Sequence, residues 1–347
     1  MNNPSTTRVV TCLGGGQTRL ESRQLRDPQS GELVLRLRVA GLCGTDIFKL
    51  DNDTVTPGDV LGHEVVGTVV ETGPGTAARF VPGDRVVVPH HVPCGDCVYC
   101  GRGNETMCQG FRINLMEPGG FSELILVHAA AVASAARNIP DHLSDASAVF
   151  MEPAACVLRS IHRSGLRPEG LAVVQGAGSM GLLHLLLLRG LFPAVDVVVV
   201  DPVDDRRRIA TSLGSQGTSE PGASAIATVK ELSGGVGADA VFDTVGGPGP
   251  LEDALELSRH GGTVVLFAHA AADAQASFDL NELFKHERRV VGSYSGTVKN
   301  QAEVFDMLVA GKFDPTPLVT HTLGFDDFSD AVRLVKDRQA FKVLLTP

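Results

Sequence analysis

Between Leu171 and Asp201 the chain spells out a strand, a glycine turn, a helix and a second strand. LAVVQ (171–175) is a short apolar run, GAGSMG (176–181) follows, LLHLLLLRGL (182–191) is helical in texture, and VDVVVVD (195–201) is a second apolar run. Two buried strands joined by a helix form a βαβ unit, which needs a parallel sheet around it. GADAVFDTVGG and GGTVVLFAH repeat the strand-then-glycine pattern, with the helical LEDALELSR between them. The middle of the chain is therefore expected to be a doubly wound α/β sheet.

The glycines of GAGSMG each have a physical task. Gly176 permits the tight turn, Gly178 lets the backbone approach a pyrophosphate, and Gly181 lets helix and sheet pack closely, with Ser179 and Met180 completing the loop. The helix N-terminus adds free amides and a positive dipole. Asp201 lies twenty residues beyond Gly181. A carboxylate there accepts hydrogen bonds from both adenine-ribose hydroxyls and repels a 2′-phosphate, which favours NAD over NADP. Arg206, Arg207 and Arg208 follow closely and could offset that preference. The alternative is a glycine turn that holds no ligand.

The flanks read differently. ELVLRLRVAG, EVVGTVVETG and DRVVVPHHV are Val-rich runs bounded by Gly or Pro, a compact irregular β domain. Beyond His286 come short strands, the amphipathic FSDAVRLVKD and a last strand, AFKVLLTP. The expected organisation is a β domain of residues 1–150 and 287–347 interrupted by a nucleotide domain of 151–286, since 347 residues suit two domains.

Four cysteines, Cys94, Cys97, Cys100 and Cys108, fall within fifteen residues in CGDCVYCGRGNETMC, inside a lobe of about residues 90–112. A tetrahedral zinc site takes four thiolates at about 2.3 Å. Four thiolates leave no open position, so this ion is structural. Two disulfides are the alternative, and nothing marks the chain as secreted.

A second, open metal set is spread further. Cys43 lies in GLCGTD, His63 and Glu64 in GHE, and Glu152 in FMEPAAC. One thiolate, one imidazole and one or two carboxylates would leave a position for substrate, the mark of a catalytic zinc. Such an ion can lower the pKa of an alcohol hydroxyl. Glu64 is either a ligand or a salt-bridging residue. The Thr45 hydroxyl could pass the alcohol proton toward solvent, or cap a turn. Asp46 could orient the His63 ring. His90 and His91 could border the site or be ordinary loop residues.

The bulk properties narrow the partners. With 30 basic against 40 acidic residues the net charge is −10, a poor match for nucleic acid or an anionic membrane. MNNPSTTRVV has no apolar signal core, and the apolar stretch from Leu182 to Val200 is broken by His184, Arg189, Gly190, Pro193 and Asp196. A cytoplasmic protein with a small-molecule partner is expected.

GLCGTD, GHEVVGTVVETG, PGDRVVV, the four-cysteine lobe, MEPAAC and GAGSMG, in this order, resemble the zinc-dependent medium-chain dehydrogenases, the superfamily of alcohol, sorbitol and threonine dehydrogenases. The resemblance covers essentially the whole chain. It implies a GroES-like β-rich catalytic domain plus a Rossmann domain, an NAD-dependent oxidoreductase with two zinc ions per chain, and a homodimer or homotetramer. Glu152 in EPAAC resembles the polyol and threonine branch, where alcohol dehydrogenases usually place cysteine. In polyol dehydrogenases the glutamate of GHE lies close to zinc, and that role carries to Glu64. DIFKL departs from the pattern by supplying Phe48 and Lys49 where polyol dehydrogenases often have a histidine and an aromatic residue. The implied activity is oxidation of a secondary alcohol on a polyol, sugar or cyclitol. A threonine-type amino-alcohol dehydrogenase and a non-catalytic dinucleotide-binding protein are the alternatives.

Overall fold

A computed structural model describes residues 6–52 and 54–347. The chain divides into two compact units, Met1–Glu152 with Thr297–Pro347, and Pro153–Gly296. The second unit runs past the expected limit at 286 because the strand Arg289–Gly292 pairs in parallel with Ser258–Leu266 and so completes the nucleotide-domain sheet.

In the first unit, the strands Leu33–Leu42, Glu64–Thr72 and Arg85–Pro89 pair antiparallel in that order. The C-terminal strand Lys342–Thr346 pairs antiparallel with the outer side of Leu33–Leu42, and Val319–Gly324 adds a parallel strand beyond it. The curled sheet encloses a core that includes Val9, Leu35, Val65, Val86, Phe121, Ile125 and Leu345. Alternation explains the inward faces: in LVLRLRVAGL, Leu35 and Leu37 are buried while Arg36 and Arg38 are exposed. This is the expected GroES-like unit.

The second unit is a six-stranded sheet with every neighbouring pair parallel. Its order is Gly217–Ser219, Asp196–Val200, Leu171–Gln175, Ala238–Asp243, Ser258–Leu266, Arg289–Gly292. The first strand in sequence therefore sits centrally, and the strand order reverses beside it, as in a Rossmann fold. Val173, Val174 and Val197 to Val199 are fully buried, as strands covered on both faces require. The segment 214–227, rich in Gly, Ser and Ala, contributes the short strand Gly217–Ser219 and the start of the helix Ala223–Leu232. Among the described residues no helix is long and apolar enough to cross a membrane.

Candidate metal centres and dinucleotide loop

In the lobe, the four sulfurs lie within 4.8 Å of one another. Sγ separations are 3.4 Å for Cys94–Cys108, 3.6 Å for Cys97–Cys100 and 4.0 Å for Cys94–Cys100. Zinc–sulfur bonds of about 2.3 Å give tetrahedron edges near 3.8 Å, whereas a disulfide needs about 2.05 Å. All four cysteines are free thiols, so the donor set fits an ion rather than two disulfides. The Cys94 amide donates to Cys108 Sγ at 3.4 Å and draws that thiol's pKa down to about 6, toward the thiolate that a metal takes.

The second set forms where the strand Leu33–Leu42 hands over to the helix Gly44–Asp51. Cys43 is the N-cap, with the Thr45 amide 3.5 Å from its sulfur, and Asp46 completes a capping box by accepting from the Cys43 amide at 3.1 Å. Asp46 is fully buried and takes a further bond from the Gly62 amide. Its Oδ1 lies 3.3 Å from His63 Nδ1, which leaves Nε2 of that ring for a cation. Burial opposes a charge on His63, but Asp46 and Cys43 outweigh it and raise its pKa well above the ordinary value. A site that retains a proton this way also attracts a metal ion, which displaces that proton on binding.

The ligand atoms of Cys43, His63 and Glu64 lie within 4.8 Å of one another. Those of Glu152, in the first turn of the helix Met151–Ser164, group instead with His90 and His91. The two sets adjoin, since the His63 and His90 rings are 4.9 Å apart. His91 packs at a tilt between His90 and Phe111, with ring centroids 3.7 Å from each. Burial pushes His91 down to about 3 and His90 well below the usual imidazole range, so both rings are neutral and able to ligate or accept. His90 Nδ1 is buried without a hydrogen-bond partner. Sulfur, imidazole and carboxylate donors in a buried pocket suit zinc.

Lys342 was not singled out in the sequence. Its Nζ meets Glu64 Oε1 at 2.8 Å and Oε2 at 2.7 Å, and both side chains are buried. Burial disfavours the ammonium, but Glu64 first, then Cys43, hold its pKa above the ordinary value. Of the two roles open to Glu64, the salt bridge is thus present. Thr45 is half-buried beside Cys43.

In the nucleotide unit, GAGSMG connects the strand Leu171–Gln175 to the helix Ser179–Leu191. Gly176 has φ +91°, and a Cβ there would meet Thr244 Oγ1 at 2.9 Å. At Gly181 a Cβ would sit 1.8 Å from the Gly176 carbonyl oxygen, so only glycine lets the helix pack this closely. Above Gly178 there is open space within 4 Å, room for a pyrophosphate beside the first amides of the helix. Ser179 Oγ is buried there without a partner. Asp201 is 4 % exposed. Its Oδ2 accepts from the Ala177 amide at 2.7 Å and its Oδ1 from the Val203 amide at 2.8 Å, so the carboxylate also braces the loop. Arg207 donates to the Asp201 carbonyl at 2.7 Å and pairs with Asp204 and Glu220. Arg208 pairs with Asp204 and Asp205. Arg206 is half-buried on the same helix, Asp204–Ser212.

Two family models match this architecture: the alcohol dehydrogenase GroES-like domain over residues 29–140, and the zinc-binding dehydrogenase domain over 170–310. The chain belongs to the zinc-dependent medium-chain dehydrogenase superfamily. Among its similar members is the L-threonine 3-dehydrogenase of Pyrococcus furiosus, 29 % identical over 91 % of both chains. The sorbitol dehydrogenase of Halalkalibacterium halodurans is 27 % identical over 98 % of both. A solved zinc-binding dehydrogenase from Sinorhizobium meliloti, bound to NADP, superposes with a TM-score of 0.88 at 26 % identity, over 99 % of this chain and 100 % of that one. As a medium-chain dehydrogenase the chain is an oxidoreductase of the alcohol and polyol dehydrogenase family.

Proposed function

We propose that this medium-chain dehydrogenase oxidises a secondary alcohol of a polyol, sugar or cyclitol, using NAD and two zinc ions per chain. The observation that carries the reading is the set of Cys43, His63 and Glu64 with Asp46 fixed behind the imidazole. Cys43, His63 and Glu152 would hold the catalytic ion, with Glu64 a direct or exchangeable ligand, and the four-cysteine lobe would hold the second. When bound, the catalytic ion supplies Lewis acidity that lowers the pKa of a substrate hydroxyl.

The chain does the rest. Asp46 keeps Nδ1 of His63 engaged and so fixes the ring's direction. Thr45 places a hydroxyl beside the metal set, where it passes the alcohol proton toward solvent. The glycine loop receives the pyrophosphate, with Ser179, Met180 and Gly181 opening the helix. Asp201 keeps lone pairs for the ribose hydroxyls, and its charge opposes a 2′-phosphate. Carboxylates engage Arg207 and Arg208, which weakens their pull on a 2′-phosphate and supports NAD as the cofactor. Arg206, on the same helix, would border the ribose. The likeness to a sorbitol dehydrogenase supports a polyol substrate.

A threonine-type amino alcohol is the second reading. It is favoured by His90 and His91 lying with Glu152 and by the Pyrococcus relative. One experiment separates the two: a panel of polyols, cyclitols and L-threonine with NAD and with NADP, followed by NADH or NADPH absorbance. Turnover of a polyol or cyclitol with NAD, abolished in Cys43→Ala while NAD binding persists, is the expected result. Turnover of L-threonine alone supports the second reading, and near-wild-type turnover in Cys43→Ala removes zinc from the chemistry.

A further inference from the structure

The helix Gly44–Asp51 has two faces. Asp46, Ile47 and Leu50 are buried, while Thr45 and Lys49 are half-buried and Phe48 is 38 % exposed. Thr45 and Lys49 stand four residues apart and so share the outer face with Phe48. Thr45 begins that face beside Cys43, and Lys49 follows one turn further along it. Its charge reaches the histidines of the site: burial first, and then neighbouring cations that include the Lys49 ammonium, keep His90 and His91 unprotonated. No carboxylate among the described residues forms an ion pair with Lys49. Asp46 is engaged by His63 and by the Cys43 and Gly62 amides, and Asp51 pairs with Lys336. The other lysine of this region, Lys342, is paired with Glu64.

We propose that Lys49 is a specificity-determining residue that receives an anionic group of the substrate, a carboxylate or a phosphate. The alcohol oxidised then belongs to a sugar acid or a sugar phosphate rather than to a neutral polyol. This rests on the polyol dehydrogenase reading, with its catalytic centre at Cys43 and His63. A substrate hydroxyl held at that centre lies beside Thr45, and the outer face of the helix is open to the rest of the carbon chain. Phe48 offers that chain an apolar ring, and Lys49 offers its far end an ammonium. A half-buried ammonium without a carboxylate gains a charge-assisted bond from such a group. Long-range charge acts in the opposite sense. The chain carries a net charge of −10 and repels an anion from a distance, so a cation at the site is what admits one. A neutral polyol makes no use of that charge.

The test uses the full-length, zinc-loaded enzyme and substrates of one carbon skeleton: a hexitol, the hexonate with a carboxylate at one end, and the hexitol phosphate ester. The first readout is kcat/KM for each with NAD, followed by NADH absorbance. The second is calorimetric titration of the preferred acidic compound into the NADH-bound enzyme, where no turnover occurs. Wild type should favour an acidic compound over the hexitol, and whether the hexonate or the phosphate is preferred names the anion. In Lys49→Met the ratio of kcat/KM, acidic over neutral, should fall about 10- to 100-fold, the range of a hydrogen bond to a charged group, and calorimetry should show the same loss of affinity. Added salt should weaken acid binding by wild type but not by Lys49→Met. Lys49→Arg keeps the charge and should retain the preference. Should Lys49→Met fold poorly, Lys49→Gln keeps a polar side chain at this half-buried position and should show the same fall. A wild type that favours the hexitol overturns the anion-binding role and leaves the polyol reading in place. So does a neutral variant whose ratio and affinity equal those of wild type. Turnover of none of the three compounds overturns the polyol reading and this role with it.

Discussion

His184 sits inside the leucine-rich helix Ser179–Leu191, and both of its ring nitrogens are engaged. Nδ1 lies 2.7 Å from the Met180 carbonyl and Nε2 lies 2.8 Å from Ser160 Oγ. That pattern suits a neutral ring, with Nδ1–H donating and Nε2 accepting. Phe242 and Phe267 pack on it, and burial pushes its pKa down to about 4. In the unfolded chain it titrates near 6.5. Between those values the unfolded chain binds a proton that the folded one refuses. The stabilisation is therefore complete above about pH 6.5 and is lost as pH falls toward 4, at most about 3 kcal/mol. Urea unfolding between about pH 7.5 and about pH 4.5 should show this loss, and His184→Gln should flatten it. An equal acid loss in the variant would assign the effect elsewhere. Residues of this kind mark where sequence reading stops. Gly176, Gly178 and Gly181 were legible because backbone geometry imposes a local spacing. Lys342 was not: it lies 278 residues from Glu64, and in AFKVLLTP a lysine reads as one more polar strand residue.

At the scale of elements, the cysteine lobe is joined to the second metal set by a row of rings. The Phe111 amide donates to the Cys108 carbonyl, and its ring packs on His91, which packs at a tilt on His90 beside His63. Cys97→Ser should abolish metal binding in the lobe and lower stability. Loosening Phe111 should also disturb His91 and raise KM, by about 10-fold, while Cys43 and His63, with Asp46 behind the ring, still bind their ion. Metal content and steady-state kinetics check this, and a KM unchanged after loss of the lobe metal would mean the row transmits nothing. The elements themselves were largely readable. Val-rich runs became strands and LLHLLLLRGL became a helix because each carries its own period and its own glycine punctuation. Gly217–Ser219 escaped notice because three small residues have no period; the neighbouring strand Asp196–Val200 supplies their hydrogen bonds. The placement of Glu152 with His90 and His91 was equally hidden, since it depends on how a helix start meets a loop distant in sequence.

For the whole molecule, the homodimer or homotetramer that the resemblance implies needs a contact surface, and the nucleotide-domain sheet offers one. The strand Ser258–Leu266 is paired on both sides and has no free edge. Among the described residues the sheet has two edge strands, the three-residue Gly217–Ser219 and, at the other end, Arg289–Gly292. Close by in sequence, the helix Leu280–His286 exposes Leu280 at 74 % and Phe284 at 80 %, four residues apart and so on one face, and Tyr294 is 61 % exposed. An open strand edge beside exposed large apolar side chains is a pairing hazard unless something covers it. A second copy of the chain covers it symmetrically: two such edges meeting about a two-fold axis pair antiparallel and bring both helices to the same interface. The chain is therefore expected to be a dimer, or a tetramer built from that dimer. Leu280→Glu with Phe284→Glu places two carboxylates in the contact and should shift the mass toward monomer while leaving Cys43, His63 and the glycine loop untouched. Light scattering at micromolar concentration reads the outcome. A wild-type mass of one chain rejects the assembly, and a wild-type dimer that the double substitution leaves intact moves the interface to another face.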